Sequence, residues 1–207
     1  MDELGMRAME LTLKGGDRFA DVRAEALTHH EAHGCTLAEF SLTDGRELAV
    51  LVRATRASYV LELGGGVGYS GLNITSSFGQ TGRIDTIEPD PEHARLIRQN
   101  FARYSLEDRL RVHSARPVEV VPALSGPYDM IVINEGPMAL DGIYEDLVRL
   151  TRTNGSIVML RSGIQASTAG ETDPFLVPPI LARFAEDDRL LVSFGERLEC
   201  VLATRIR

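Results

Sequence analysis

The stretch YVLELGGGVGYS, residues 59–70, decides the fold of this chain because it joins a short apolar strand to a helix through four glycines. Glycine accepts positive φ angles and, lacking a Cβ atom, allows a ligand to approach the backbone closely. The spacing is not the G-x-G-x-x-G of dinucleotide-binding proteins, because Gly71 does not fall in that register. The stretch therefore predicts a strand–turn–helix unit that binds a nucleotide-like cofactor.

Strand-like and helix-like segments alternate on both sides of this unit, about every 20–25 residues, which is the pattern of an α/β domain with a mainly parallel sheet. The predicted strands are residues 59–63, 83–88, 110–113, 128–134, 155–160, 189–193 and 199–204. The predicted helices are residues 20–33, 43–56, 70–78, 91–104, 118–124, 141–151 and 179–184.

Two acidic residues support a cofactor site at the glycine turn. Glu88 ends the second predicted strand, where a carboxylate can accept hydrogen bonds from both hydroxyls of a ribose. The alternative role for Glu88 is a helix-capping acid, but Asp90 is better placed to cap the helix that begins at Pro91. Glu62 lies within a buried strand and needs a partner, because an unpaired buried charge is costly. We expect it to hold N–H groups of the turn or a ligand ammonium group.

The composition narrows the class of protein. The chain has 207 residues and a formal net charge of −8, so general nucleic-acid binding is not expected. It contains neither an apolar run long enough to cross a membrane nor the pattern of a signal peptide, which predicts a cytoplasmic location without a membrane partner. Lys14 is the only lysine, so no later lysine can act as a base. Cys35 and Cys200 are too far apart in sequence to indicate a zinc site.

Three histidines lie close together near the end of the first predicted helix. His29 and His33 are four residues apart and share a helix face with the spacing of metal ligands, and His30 lies beside them. A histidine near a helix C-terminus also suits the helix dipole. We favour a solvated helix end over a metal site here.

Five motifs in order, VLELGGGVGYS, TIEPD, VVPAL, YDMIVIN and GSIVML, resemble the S-adenosylmethionine-dependent O-methyltransferases of the catechol and caffeoyl-CoA type. The resemblance covers residues 36–207. It implies a Rossmann-like class I methyltransferase fold: a mainly parallel seven-stranded sheet with an antiparallel final strand and helices on both faces. It also implies that residues 1–40 form a helical segment capping the active site of a domain at residues 41–207, that the chain forms a homodimer, and that the methyl acceptor is a small molecule.

The resemblance implies S-adenosyl-L-methionine as the cofactor. In this family the residue at the position of Ser70 binds the cofactor carboxylate, the one at Glu88 binds the ribose, and residues 38–40 close over the cofactor. In the family an acid and the backbone N–H of the next residue recognise adenine. Arg116 stands in place of the acid and cannot accept a hydrogen bond, and Pro117 follows it and has no N–H, so adenine recognition is expected to differ. The cofactor-binding positions carried over are Glu62, Gly64, Gly66, Gly68, Tyr69, Ser70, Glu88, Pro89, Ala115 and Arg116.

The family's metal-binding residues are replaced. Asn134, Arg161 and Ser162 stand where the family has two aspartates and an asparagine, and Pro137 stands where it has a lysine. A hard divalent cation prefers several oxygen ligands with carboxylate charge, so we expect no metal at this position. The remaining catalytic candidates are Glu135, Asn134 and Arg161, with Glu135 as the nearest carboxylate to the expected methyl group and Arg161 as a partner for an anionic oxygen.

Three interpretations of the sequence stay open. The first is an active methyltransferase that works without a divalent metal. The second is a catalytically reduced relative that keeps the cofactor pocket and acts as a binding or partner protein. The third is a metal-dependent enzyme with relocated ligands, for which Glu135 and Asp141 are the candidates. The identity of the methyl acceptor does not follow from any of them.

Overall fold

The computed structural model describes residues 16–33, 45–134, 140, 142–160, 179–195 and 200–207. The predictions made for residues 38–40, for Cys35 and Pro137, and for the N-terminal part of the predicted cap lie outside these residues. Among the described residues, no helix combines the length and the apolar character that a membrane span requires.

A single seven-stranded sheet forms the centre of the fold. The strands are β1 (Tyr59–Leu63), β2 (Arg83–Ile87), β3 (Leu110–His113), β4 (Tyr128–Ile133), β5 (Thr151–Leu160), β6 (Leu190–Phe194) and β7 (Cys200–Arg205). Their order is β3-β2-β1-β4-β5-β7-β6. The first five strands pair in parallel, and β7 runs antiparallel to both β5 and β6. The predicted mainly parallel sheet with an antiparallel final strand is therefore confirmed.

Helices cover both faces of the sheet. They are α1 (Ala20–His33), α2 (Gly45–Thr55), α3 (Tyr69–Ser76), α4 (Pro91–Arg103), α5 (Pro117–Val120), α6 (Tyr144–Leu150) and α7 (Pro179–Glu186). Side chains alternate across each strand, so Val60 faces a core layer shared with α1 to α4, whereas Leu61 and Leu63 face a layer shared with α6 and α7. Glu62 alternates with Leu61 and Leu63 and therefore lies on the Val60 face.

Two predicted segments differ most from the structure, for identifiable reasons. The fifth strand was expected to start at Gly155 but starts at Thr151. Thr151 already pairs with Tyr128 of β4, and the register between the two strands then shifts before Met130 pairs with Ser156. Asn154 has a φ of 63° there, so its turn-like sequence marks a distortion within the strand and not its beginning. The helix predicted over residues 118–124 is an α-helical turn followed by a 3₁₀ turn that contains Pro122, which has no N–H group for an α-helical bond.

Candidate functional site

The glycine turn after β1 has the backbone geometry that only glycine adopts readily. Gly64, Gly66 and Gly68 have φ angles of 81°, 53° and 96°. Gly65 is required for a different reason, because a Cβ atom there would overlap the methyl group of Thr86 and lie 2.8 Å from Ile97 Cδ1. The turn is therefore fixed in shape and packs directly against β2 and α4.

The turn lies at the switch point of the sheet topology. From β1 the chain continues to β2 and β3 on one side and later returns to β4 on the other side. Ligands of open α/β sheets bind in the crevice that forms at such a point, beyond the carboxyl ends of the strands. Asn134 follows β4 and donates its backbone N–H to Leu63 O at 2.9 Å, which brings the ends of β4 and β1 together at this crevice.

Helix α3 begins at the crevice without a side-chain cap, because its N-cap residue is Gly68. Its first intrahelical hydrogen bond joins Leu72 N to Gly68 O at 2.9 Å. The N–H groups of Ser70 and Gly71 precede that bond, at positions where a helix supplies no acceptor of its own. A helix N-terminus of this kind attracts anionic groups such as a carboxylate.

Glu62 is a fully buried carboxyl group beneath the turn. Ser70 Oγ donates to its Oε1 at 2.6 Å, and Thr86 Oγ1 donates to its Oε2 at 3.0 Å. Burial, with a smaller contribution from the nearby Glu88, raises the pKa of Glu62 to about 7 against the opposing effect of the two hydroxyl donors. Two hydroxyl groups thus stand in place of the turn N–H groups that the sequence led us to expect as partners, and no cation contacts Glu62 among the described residues.

Asn134 completes this group at the end of β4. It is buried, and its Nδ2 lies 3.4 Å from Ser70 Oγ and 3.5 Å from Glu62 Oε1. The amide therefore points toward the Glu62–Ser70 pair and presents a donor there, without negative charge.

Glu88 is fully buried directly after β2 and holds the glycine turn from the other side. Its Oε2 accepts a hydrogen bond of 2.8 Å from Gly66 N, and its Oε1 accepts one of 3.0 Å from Asp90 N. Asp90 Oδ1 accepts from the N–H groups of Glu92 and His93, so the prediction that Asp90 caps α4 is confirmed. Glu88 is consequently free of the capping role and faces the turn.

Four further predicted positions differ in what they offer a ligand. Pro89 is exposed beside Glu88, and Ala115 is half-buried after β3. The Arg116 side chain turns back along α5, where its Nη2 lies 2.6 Å from Glu119 Oε1. Tyr69 is buried and donates its hydroxyl to Asp17 Oδ2 at 2.6 Å, so its side chain packs against the chain before α1.

His29 and His33 of α1 meet a residue that the sequence did not single out, while the side chain of His30 lies outside the described part of the structure. His93, in the first turn of α4, places its Nε2 3.0 Å from His29 Nε2. His33 has 42% of its side chain exposed, as expected of a solvated helix end, whereas His29 is half-buried, which that expectation did not predict. His93 is 64 residues from His29, so only the packing of α1 on α4 brings the two together.

The catalytic candidates Glu135 and Arg161 lie outside the described residues, as do Ser162 and Asp141. Of the catalytic set, the structure places Asn134 alone. The structure describes every residue of the cofactor-binding set. Two hydrogen bonds bring four of them together around the glycine turn: Ser70 Oγ donates to Glu62, and Gly66 N donates to Glu88.

Comparison with known proteins is consistent with this site. The chain matches the model of a protein family described as O-methyltransferase over residues 19–189. A relative from Mycobacterium sp. (strain KMS), named as an O-methyltransferase, is 34% identical over 163 residues, which are 74% of each chain. The crystal structure of cofactor-bound Rv0187 from MTB has a TM-score of 0.77 and 25% identity, covering 97% of this chain and 95% of that one. The O-methyltransferase TomG from Streptomyces achromogenes, solved in complex with SAM, has a TM-score of 0.73 and 18% identity, covering 93% and 91%.

Proposed function

The chain belongs to the O-methyltransferase family, and from that membership we propose that it transfers a methyl group from S-adenosyl-L-methionine to an oxygen atom of a small molecule without a divalent metal. The observation that carries the proposal is the pair of buried carboxyl groups, Glu62 and Glu88, on either side of the glycine turn. Each is hydrogen-bonded to the turn or to the start of α3, through Ser70 and Gly66.

The residues around the turn fit each polar part of the cofactor. The N-terminus of α3 suits the methionine carboxylate, with Ser70 as a side-chain donor. Glu62 suits the ammonium group of the cofactor. Its carboxyl group is buried, no cation contacts it among the described residues, and the ammonium group would neutralise its charge. Glu88 suits the ribose hydroxyls, for which its bonds to Gly66 and Asp90 fix its orientation. The complex of the relative TomG with SAM supports this choice of cofactor.

Adenine would lie beyond Glu88, near Pro89 and the end of β3. Arg116 is tied to Glu119 and cannot accept a hydrogen bond from the adenine amino group. We therefore propose that adenine is held mainly by its rings, against Pro89 and Ala115. This difference also favours a second candidate function, a catalytically reduced relative that binds the cofactor weakly.

The strand-end residues do not fit a divalent cation. Asn134 contributes one neutral amide, and its Nδ2 is directed toward Ser70 and Glu62. The other replaced positions, Arg161 and Ser162, bring a cation and a hydroxyl in the sequence. Magnesium requires near-ideal octahedral coordination by oxygen, usually with at least one carboxylate. We accordingly derive no step that involves a metal.

Methyl transfer requires alignment more than covalent chemistry from the protein. When bound, the sulfonium cofactor supplies an electrophilic methyl carbon. The chain's task is to hold the acceptor oxygen in line with that carbon and to remove its proton. We propose Glu135 as the base that takes the proton and Arg161 as the group that stabilises the resulting oxyanion. We propose Asn134, whose amide faces Ser70 and Glu62, as a positioning residue. With the cofactor bound, the C–O bond would form as the C–S bond breaks, and the electron pair of the C–S bond would stay on sulfur.

The N-terminal segment and the assembly complete the proposal. We propose that residues 1–40 cap the active site of the domain at residues 41–207, as supported by the contact between Tyr69 and Asp17 and by the packing of α1 on α4. Light scattering of the purified protein tests the proposed homodimer, and fractionation of the source cells tests the proposed cytoplasmic location.

Turnover in the absence of metal tests the proposed function. The protein is incubated with S-adenosyl-L-methionine and a panel of catechols and phenolic esters in EDTA, and release of S-adenosyl-L-homocysteine is measured. We expect methylation of at least one acceptor, and at least a tenfold loss of kcat in Glu135→Gln. Cofactor binding without turnover on any acceptor would favour the reduced relative. Turnover that requires added magnesium would overturn the metal-free mechanism.

A further inference from the structure

Three imidazole rings meet where α1 lies against the start of α4. His29 and His33 come from successive turns of α1, and His93 comes from the first turn of α4. One ligand nitrogen from each ring lies within 4.8 Å of those of the other two. The ring centroids are separated by 4.7 Å between His29 and His33 and by 4.9 Å between His29 and His93. We call this group the three-histidine cluster.

We propose that the three-histidine cluster binds one divalent transition-metal ion, with Zn²⁺ as the representative case. Imidazole nitrogens bind zinc at about 2.0–2.1 Å, so two ligands of a tetrahedral site stand about 3.3 Å apart. The His29 and His93 Nε2 atoms are already 3.0 Å apart. Small side-chain rotations bring the third ring to the same ion. This site is separate from the strand-end position beside Asn134, and it does not rest on the proposed methyl transfer.

The surroundings of His93 provide a second, independent indication. Its side chain is 2% exposed, and its Nδ1 has no hydrogen-bond partner among the described residues. That nitrogen lies 3.5 Å from Oε1 of the fully buried Glu88, longer than an ordinary hydrogen bond. Metal binding at Nε2 would fix the proton on Nδ1, where it faces the Glu88 carboxylate. A carboxylate behind a metal-binding histidine is the usual support of such a ligand.

Asp90 places a carboxylate oxygen at the rim of the three-histidine cluster, as a candidate fourth ligand. Its Oδ2 lies 3.3 Å from His33 Nε2, while its Oδ1 is occupied by the N-terminus of α4. The fourth position of a tetrahedral ion is thus open to this carboxylate or to water. A set of three imidazoles and one oxygen ligand suits zinc, copper, cobalt or nickel and does not suit magnesium or calcium.

The surroundings of the three-histidine cluster shift the pKa values of its rings in opposite directions. Burial lowers the pKa of His29, and the neighbouring His93 and His33 also lower it. The Glu88 carboxylate raises the pKa of His93, against the effect of burial. A neutral imidazole is the form that binds a metal. A helix-dipole role would explain the two histidines of α1, but it does not explain the third ring from another helix.

Metal titration of the full chain tests the proposal. The protein is prepared without a polyhistidine tag, stripped with EDTA and titrated with Zn²⁺ against a chromogenic chelator, and Co²⁺ is added separately to record its visible absorption. We expect one Zn²⁺ per chain, a Kd in the micromolar range or below, and the intense absorption of tetrahedral Co²⁺. No Zn²⁺ binding by the full chain would overturn the proposal.

Single variants assign the site. His33→Asn removes the most exposed ligand and carries the least risk to folding, while His93→Gln removes the buried one. Each is expected to weaken Zn²⁺ binding at least tenfold and to abolish the rise in Tm that Zn²⁺ causes in the natural chain. His113→Gln is the matched control, because His113 lies on β3 outside the three-histidine cluster, and it is expected to bind Zn²⁺ as the natural chain does. Equal affinity in the control, His33→Asn and His93→Gln would refute the assignment.

Discussion

Cofactor binding is expected to release a proton from Glu62. In the free protein the pKa of this carboxyl group is raised to about 7, chiefly by burial. At pH 6 about nine-tenths of the molecules therefore carry the proton. A bound ligand ammonium group would favour the carboxylate and return the pKa of Glu62 to its reference value of 4.5 or below. The proton then leaves as the ligand binds.

The size of the effect follows from the two pKa values. The difference between about 7 and 4.5 corresponds to about 3 kcal/mol. Because the raised pKa means that the folded protein holds the proton more tightly than the unfolded chain, the free energy of unfolding without ligand falls by up to that amount as the pH rises from 4.5 through about 7. Ligand affinity changes in the opposite sense and should rise about 40-fold between pH 5 and pH 7.

Calorimetry measures this proton directly. S-adenosyl-L-homocysteine is titrated at pH 6 in two buffers that differ in ionisation enthalpy, and the difference in binding heat gives the number of protons released. We expect about 0.9 proton from the natural chain. Glu62→Gln should release none from this position, while any contribution from histidines stays the same. Glu145→Gln, which alters an exposed carboxyl group on α6, serves as the control and should behave as the natural chain does.

Two results would refute the role of Glu62. One is an affinity that does not change between pH 5 and pH 7 in the natural chain. The other is a proton release that Glu62→Gln leaves unchanged, since the proton would then come from another group.

Three further substitutions test the packing of the glycine turn, the hydrogen bonds at the start of β1 and the charge at the end of β4. Gly65→Ala forces a methyl group against Thr86 and should lower the free energy of unfolding by about 1–3 kcal/mol. Gly142→Ala is the control, because its added methyl group has its nearest neighbour at 3.9 Å and should leave the free energy of unfolding unchanged. Urea unfolding compares the two variants. Asp129→Ala removes an acceptor of three hydrogen bonds of 2.8–3.0 Å from the start of β1 and should cost about 1–3 kcal/mol in the same assay; an unchanged midpoint would contradict this. Asn134→Asp brings a second acid near a buried carboxyl group, so it should weaken S-adenosyl-L-homocysteine binding at pH 7 at least tenfold, and magnesium should not restore it.

The local features of the site could be predicted from the sequence because they depend on neighbours in the chain. The strand–turn–helix unit, the buried Glu62 and the cap by Asp90 follow from residue type and spacing. The predicted second strand ended one residue too late, because β2 ends at Ile87 and Glu88 follows it directly.

Other features depend on packing between distant segments. The contact between His93 and His29 requires α1 to lie on α4, which no local pattern encodes. The bond from Thr86 to Glu62 depends on the parallel register of β1 and β2, in which these two residues stand side by side. The early start of β5 was missed because its distorted first half resembles a turn in sequence.

Calorimetric titration of S-adenosyl-L-homocysteine into the ligand-free protein, once in EDTA and once in excess magnesium, tests cofactor binding without a metal most directly. We predict micromolar binding with one site per chain and the same affinity in both conditions. Binding that appears only with magnesium would contradict the metal-free site beside Asn134, and no binding in either condition would contradict the cofactor site at the glycine turn.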